Sequence, residues 1–181
     1  MLHNGFLECT DCATRFFLPG DIFLYTEGDT DLSPQNLASR AFHQVLRRPA
    51  WCVACDTAVW AERLPSHDEF MKAAAVTRTR KKKQLQMQDE LLELSLAEQR
   101  ALYAHLSRRS SKARCLMCGS TEWIGFEISG ARLRPPLPCG HCNRPLRWKM
   151  SDVIPGPGIR RIKVRAYSFA GELVGTGEVT T

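Results

Sequence analysis

Cys139-Gly140-His141-Cys142-Asn143-Arg144-Pro145-Leu146-Arg147-Trp148 carries the last of four C-x-x-C pairs; the others are Cys9/Cys12, Cys52/Cys55 and Cys115/Cys118. The chain has 8 cysteines and all of them fall in these pairs. A C-x-x-C turn brings two thiolates onto one ion while backbone N–H groups of the turn point at the sulfurs. Two such turns complete the closed tetrahedral shell of a structural site. The spacing therefore predicts two structural Zn2+ ions, with Cys9, Cys12, Cys52, Cys55, Cys115, Cys118, Cys139 and Cys142 as the ligands.

The competing reading is redox chemistry, since Cys139-Gly140-His141-Cys142 resembles the C-G-H-C site of the protein disulfide isomerases. That family places its motif after an apolar strand and at a helix start, which lowers the pKa of the first thiol. Here the motif follows Arg134-Pro135-Pro136-Leu137-Pro138, which cannot be a central strand. His141 is then a solvent-facing residue inside the turn. The first residues carry neither a basic segment nor an apolar run of signal-peptide type. A reducing cytoplasmic location is expected, where paired cysteines are metal ligands before they are disulfides.

The chain also repeats itself. Cys55 is followed by Asp56 and, after an aliphatic residue, Trp60; Cys142 is followed by Asn143, Leu146 and Trp148. Five residues after Cys12 and after Cys118 stand the aromatics Phe17 and Trp123. This layout resembles the zinc-ribbon family over about residues 6–64 and 113–153, and the resemblance implies a fold and a metal but no activity. Four turns permit three pairings. The duplication favours the sequential one, Cys9/Cys12 with Cys52/Cys55 and Cys115/Cys118 with Cys139/Cys142. Between Cys12 and Cys52 lie 39 residues, against 20 between Cys118 and Cys139. Ser33-Pro34 as a cap and first helical position, with Leu37, Ala41 and Val45 four apart, predicts an inserted helix over about 34–47, ended before Pro49. The four Trp residues are read as packing for ribbons too small to build a core otherwise.

Between the two units, Ser66/Glu69 and Ser95/Glu98 have capping-box spacing and predict two helices with a break near 95. Beyond Pro155-Gly156-Pro157-Gly158, Ile162, Val164 and Ala166 alternate with Arg161, Lys163 and Arg165, which is a half-buried strand with one basic face. The expected fold class is α+β, in four parts. Residues 1–64 form a first ribbon, 65–112 a helical connector, 113–154 a second ribbon, and 155–181 a β-hairpin packed on the second ribbon.

Charge is unevenly spread. Residues 1–77 hold 6 Lys/Arg against 10 Asp/Glu, and residues 111–165 hold 11 against 3. The sequence offers no glycine-rich phosphate loop, no nucleophile motif and no paired histidines, and a closed shell of four thiolates has no open position for water, so an enzyme is not expected. Two roles fit the charge split. One is nucleic-acid binding through Arg78, Arg80, Lys81, Lys82, Lys83, Arg132, Arg134, Arg144, Arg147, Lys149, Arg161, Lys163 and Arg165, with Tyr167 or Trp148 stacking on bases. The other is a protein–protein adaptor, its acidic N-terminal ribbon docking a protein partner; no membrane is implied by either. Glu8, Asp11 and Asp56 beside the ligands of a Cys9/Cys12/Cys52/Cys55 site would also make it the first of the two to lose its metal.

Overall fold

The computed structural model describes residues 5–26, 31–33, 42–79, 94–151 and 161–180, with 77–79 described in backbone only. It is a mixed α+β structure, mostly strands with two helices among the described residues. Two small sheets are built on one plan. In the first, β1 (Gly5–Cys9) is central, with β2 (Arg15–Phe17) and β10 (Leu146–Met150) antiparallel on either side. In the second, β5 (Arg47–Cys52) is central between β6 (Thr57–Glu62) and β7 (Trp123–Gly125). Each plan is a hairpin closed by one C-x-x-C turn, plus a strand that follows another C-x-x-C turn and pairs with the first strand of the hairpin.

Register shows which faces meet. Leu7, paired with Phe16 and Trp148, shares one face of the first sheet. That face packs with Trp51 and Ala58 of the second sheet in a common core, where Phe16 meets Trp51 edge-on at 4.9 Å. At Gly5 a Cβ would collide with the Trp148 indole, so only glycine lets β1 lie this close to it. The small hairpin β8 (Glu127–Ser129) and β9 (Arg132–Arg134) adds Leu133 to the same core. Trp51, Trp60 and Trp148 are buried and serve packing, as the size of these units requires.

The remaining sheet has four strands. β3 (Ile22–Thr26) lies parallel to β11 (Arg161–Ser168), while β4 (Phe42–Gln44) and β12 (Leu173–Thr180) add on antiparallel. The C-terminal hairpin thus extends a strand from the N-terminal region, where it was expected to join the second ribbon. Parallel pairing needs a long crossover, and here residues 27–160 supply it. The helix expected over 34–47 is corrected in its second half: 42–44 and 47 are strand, and 34–41 lie outside the described residues. Tertiary pairing decides this, for Val45 N–H donates to Phe23 and Arg63 N–H to Leu46, which a helix would forbid. Pro49 does not end an element but sits inside β5, with its carbonyl accepting from Phe126.

Helices α1 (His67–Thr79) and α2 (Leu96–Leu106) begin at the two capping boxes. Ser66 N–H donates to Glu69 at 2.8 Å and Glu69 N–H to Ser66 Oγ at 3.3 Å; Ser95 and Glu98 repeat the pattern at 2.7 and 3.3 Å. Both helices pack into one core, Phe70, Leu102 and Leu106 joining Tyr25, Trp60, Leu116 and Tyr167. No helix among the described residues is long and apolar enough to cross a membrane.

Beside this core lies an ion pair removed from water. Arg109 donates to Glu62 Oε1 at 2.5 Å and Oε2 at 2.7 Å, with the two side chains 2% and 1% exposed. Tyr25 Oη donates to the same carboxylate at 2.6 Å and the Arg114 amide at 3.1 Å, so its lone pairs are well used. Burial and the neighbouring carboxylate push the Tyr25 hydroxyl far above its ordinary pKa, keeping it a donor. Glu62→Ala leaves Arg109 buried and unpaired and is expected to cost about 3–5 kcal/mol of stability, whereas Glu62→Leu with Arg109→Met should recover most of it. Chemical denaturation of the three metal-loaded proteins checks both.

Candidate metal centres

The eight thiols form two tetrads: Cys9, Cys12, Cys139 and Cys142, and Cys52, Cys55, Cys115 and Cys118. Within each, the ligand atoms lie within 4.8 Å of one another. In the first, Sγ–Sγ separations are 3.3 Å (Cys9–Cys142), 3.7 Å (Cys12–Cys139) and 3.6 Å (Cys12–Cys142). In the second they are 3.6 Å (Cys52–Cys118) and 3.9 Å (Cys55–Cys115). Metal–sulfur bonds of about 2.3 Å at tetrahedral angles place sulfurs about 3.8 Å apart, whereas a disulfide needs about 2.05 Å. All eight cysteines are free, and the donor set fits a metal ion in each tetrad.

The sequential pairing is therefore corrected to a nested one: first turn with fourth, second with third. Equivalence between the turns changes accordingly. Cys9/Cys12 and Cys52/Cys55 each close a hairpin, β1–β2 and β5–β6, while Cys115/Cys118 and Cys139/Cys142 each precede the added strand, β7 and β10. Spacing could not distinguish these solutions, because every turn has the same length. Strand pairing distinguishes them, since β10 covers β1 and β7 covers β5.

The four turns are alike in backbone. The first cysteine's N–H donates to the carbonyl five residues on in three of them: Cys9 to Thr14, Cys115 to Ser120 and Cys139 to Arg144, at 2.9, 2.8 and 2.7 Å. In the fourth, Cys52 and Thr57 are ladder partners. Amides of Asp11 and Met117 lie 3.5 and 3.4 Å from the sulfurs of Cys9 and Cys115, partly offsetting thiolate charge. The residue after the second cysteine is left-handed in all four turns: Ala13, Asp56, Gly119 and Asn143, at φ 56°, 47°, 77° and 59°. Glycine and Asx residues visit this region readily, and for Ala13 it costs about 1–2 kcal/mol.

Nesting also removes the charge contrast expected between the centres. Glu8 and Asp11, from the acidic first turn, stand beside cations of the fourth: Lys149 pairs with Glu8, and Arg144 lies 4.0 Å from Asp11. Lys149 and Arg15 hold the Glu8 carboxyl below its ordinary pKa. Asp56 does not border its own turn's tetrad alone but lies against Gly140, whose Cβ would meet it at 3.3 Å. The premise for earlier metal loss from a Cys9/Cys12/Cys52/Cys55 site falls with that site. Thr14, through its hydroxyl and its backbone, holds the Cys12 thiol down to about 6, whereas burial pushes Cys115 up to about 11. An incoming cation must displace the remaining protons, so affinity falls with acid. His141 is exposed and lies parallel to Phe16, 6.5 Å between ring centres, and takes no part in a tetrad.

The basic residues fall into separate groups. Arg132 and Arg134 are exposed on β9, which meets β10 through the Trp148 N–H to Ala131 bond at 3.0 Å; Arg147 and Lys149 are exposed on β10. Arg161, Lys163 and Arg165 line one side of a cleft of about 1040 Å3 with Asp21, Arg47 and Met117. Arg80, Lys81, Lys82 and Lys83 lie outside the described residues, as does the side chain of Arg78. Tyr167 and Trp148 are corrected as stacking candidates. Both are buried, with Tyr167 Oη donating to the Leu116 carbonyl. Arg47 was missed, because its segment reads as helix, and its guanidinium lies 4.4 Å over the Trp60 ring. Compared with known proteins, the chain matches no family model, no curated relative and no solved structure.

Nesting makes a sharp stoichiometric prediction. Cys9→Ser with Cys139→Ser should lose one of two bound metal equivalents, and Cys9→Ser with Cys52→Ser should lose both; sequential pairing reverses these results. Metal analysis of the purified double variants decides. Ala13→Gly should raise metal-loaded stability by about 1 kcal/mol, read by denaturation, because it removes a Cβ from a left-handed position.

Proposed function

We propose that both tetrads hold structural Zn2+, that the two three-stranded units are zinc ribbons nested one within the other, and that the scaffold binds nucleic acid. Four thiolates per site at tetrahedral separations support zinc: the shell is closed and the ligands are soft. About two equivalents of zinc in metal analysis is the expected result, and iron in the same shells would overturn the assignment.

The cleft carries the nucleic-acid reading. Four cations, Arg47, Arg161, Lys163 and Arg165, line it against one acid, Asp21. Asp21 is already engaged by Arg165 at 2.9 Å, and its backbone carbonyl accepts from Arg47 at 3.1 Å. Arg161 and Lys163 project from the exposed side of β11, two residues apart, while Val164 and Ala166 are buried on the other side. A strand holding alternate cations at one edge of an open cleft suits a phosphate backbone, whose charges repeat at similar intervals. The adaptor reading is less favoured, because Glu8, Asp11 and Asp21 of the acidic N-terminal region are matched to cations of the same chain.

Binding to random-sequence DNA and RNA should weaken steeply with salt. Arg161→Gln with Lys163→Gln should lower affinity for all sequences alike and reduce the slope of log K against log salt by about 2. Fluorescence anisotropy across a salt series measures this, and absence of binding at low salt would remove the proposal.

A further inference from the structure

The outer face of the β10-β1-β2 sheet is a second surface that combines cations with an exposed aromatic. Register places Phe6 beside Phe17 and Lys149, and Glu8 beside Arg15 and Arg147, on one face. The opposite face carries Leu7, Phe16 and Trp148 into the core next to Cys9 and Cys139, so the outer face is backed by a packed layer that includes two cysteines of the first tetrad. Phe17 is 61% exposed, so most of its ring is open to solvent. Its ring meets Phe6 at 5.4 Å, and the Arg15 guanidinium lies 4.9 Å over Phe6. Three cations stand against the single acid Glu8, which engages Arg15 and Lys149 and leaves the face net positive.

We propose that this face is a stacking platform for single-stranded nucleic acid, with Phe17 taking a base and Arg15, Arg147 and Lys149 the flanking phosphates. The proposal rests on the nucleic-acid reading of the basic cleft and adds the strandedness of the ligand. A lone exposed phenylalanine is ordinary on a protein surface. One set into a cationic, rigidly backed sheet face has the two elements that sequence-tolerant single-strand binding uses, a π surface and a backbone grip. Duplex DNA keeps its bases stacked inside and cannot use the ring.

The test compares an oligothymidylate of about 20 nucleotides with a duplex of similar length, by anisotropy on fully metal-loaded protein. Phe17→Ala, at an exposed position, should retain both metal equivalents. It should weaken oligothymidylate binding roughly tenfold, leave duplex affinity and the salt slope unchanged, and be rescued by Phe17→Tyr. Wild-type binding that Phe17→Ala does not weaken overturns the platform while leaving the cleft intact. Equal loss for oligothymidylate and duplex overturns it too, since a base-stacking residue cannot act on both. A wild-type protein that binds neither at low salt removes the cleft reading and the platform together.

Discussion

Two sulfur tetrads, one nested inside the other along the chain, are the constraint on which the rest of the structure depends. The outer tetrad joins Cys12 to Cys139 across 126 intervening residues, and the inner joins Cys55 to Cys115 across 59. Short strands of three to six residues cannot hold such distant segments together by ladder hydrogen bonds alone. A metal ion that binds only the assembled shell contributes its binding free energy to folding. Once the shells close, the strands flanking each turn have little choice: β10 is delivered to β1 and β7 to β5. The core between the two sheets follows from the same placement, because Cys9 and Cys139 themselves belong to it with Leu7, Phe16 and Trp51.

The buried Glu62–Arg109 pair complements the tetrads and lies next to the inner one, for Arg114, directly before Cys115, bonds Glu62 through both backbone and carboxylate. Glu62 ends β6, Arg109 follows α2, and Ser111, bonded to Arg109 Nε at 2.6 Å, donates in turn to Ala170 in the turn of the C-terminal hairpin. Tyr25 of β3, Arg109 and Arg114 thus meet on one carboxylate, and the C-terminal hairpin is tied to it through Ser111. Such a pair adds little net stability over an apolar replacement, but it tolerates few alternative arrangements, because any other leaves a charge buried without a partner. The helices reach this locus through capping boxes and a shared core, so α1 and α2 are packed parts of the structure.

What the sequence showed plainly was local. The cysteines, the capping serines at 66 and 95, and the alternation over residues 161–167 each act through neighbours within a few residues, and all reappear in the structure. What it concealed was long-range pairing. Leu37, Ala41 and Val45 have helical spacing, yet β3 and β6 claim the backbone of residues 42–47. Pro49 looked like a stop; within β5 its missing N–H lies on the side where its carbonyl meets Phe126, just beyond the end of β7, so the ladder loses nothing. The apparent duplication was real but misaligned: turns 1 and 2 correspond, as do turns 3 and 4. An aromatic five residues after a cysteine, or an Asx after it, marks the common turn and is silent about which turn shares its ion.

The division of charge along the chain acquires a different meaning once the pairing is known. An acidic first half and a basic second half read as two modules with two partners if the halves fold apart. In the structure they are interleaved, and Glu8 with Lys149, Asp11 with Arg144 and Asp21 with Arg165 each join an N-terminal acid to a C-terminal base. Part of the asymmetry is therefore internal complementarity, which favours this arrangement and disfavours pairing like with like. Exposed pairs of this kind contribute little stability individually, so their effect lies in register and encounter more than in strength. The proposed nucleic-acid contacts draw on the net positive charge that remains after this matching. They are not spread evenly: Arg161 and Lys163 stand at the cleft, and Arg147 stands with Phe17 on the outer face of the first sheet. Charge alone would attract any polyanion to these places. The exposed ring beside one of them, and the open cleft beside the other, are the features by which the two proposed surfaces go beyond charge.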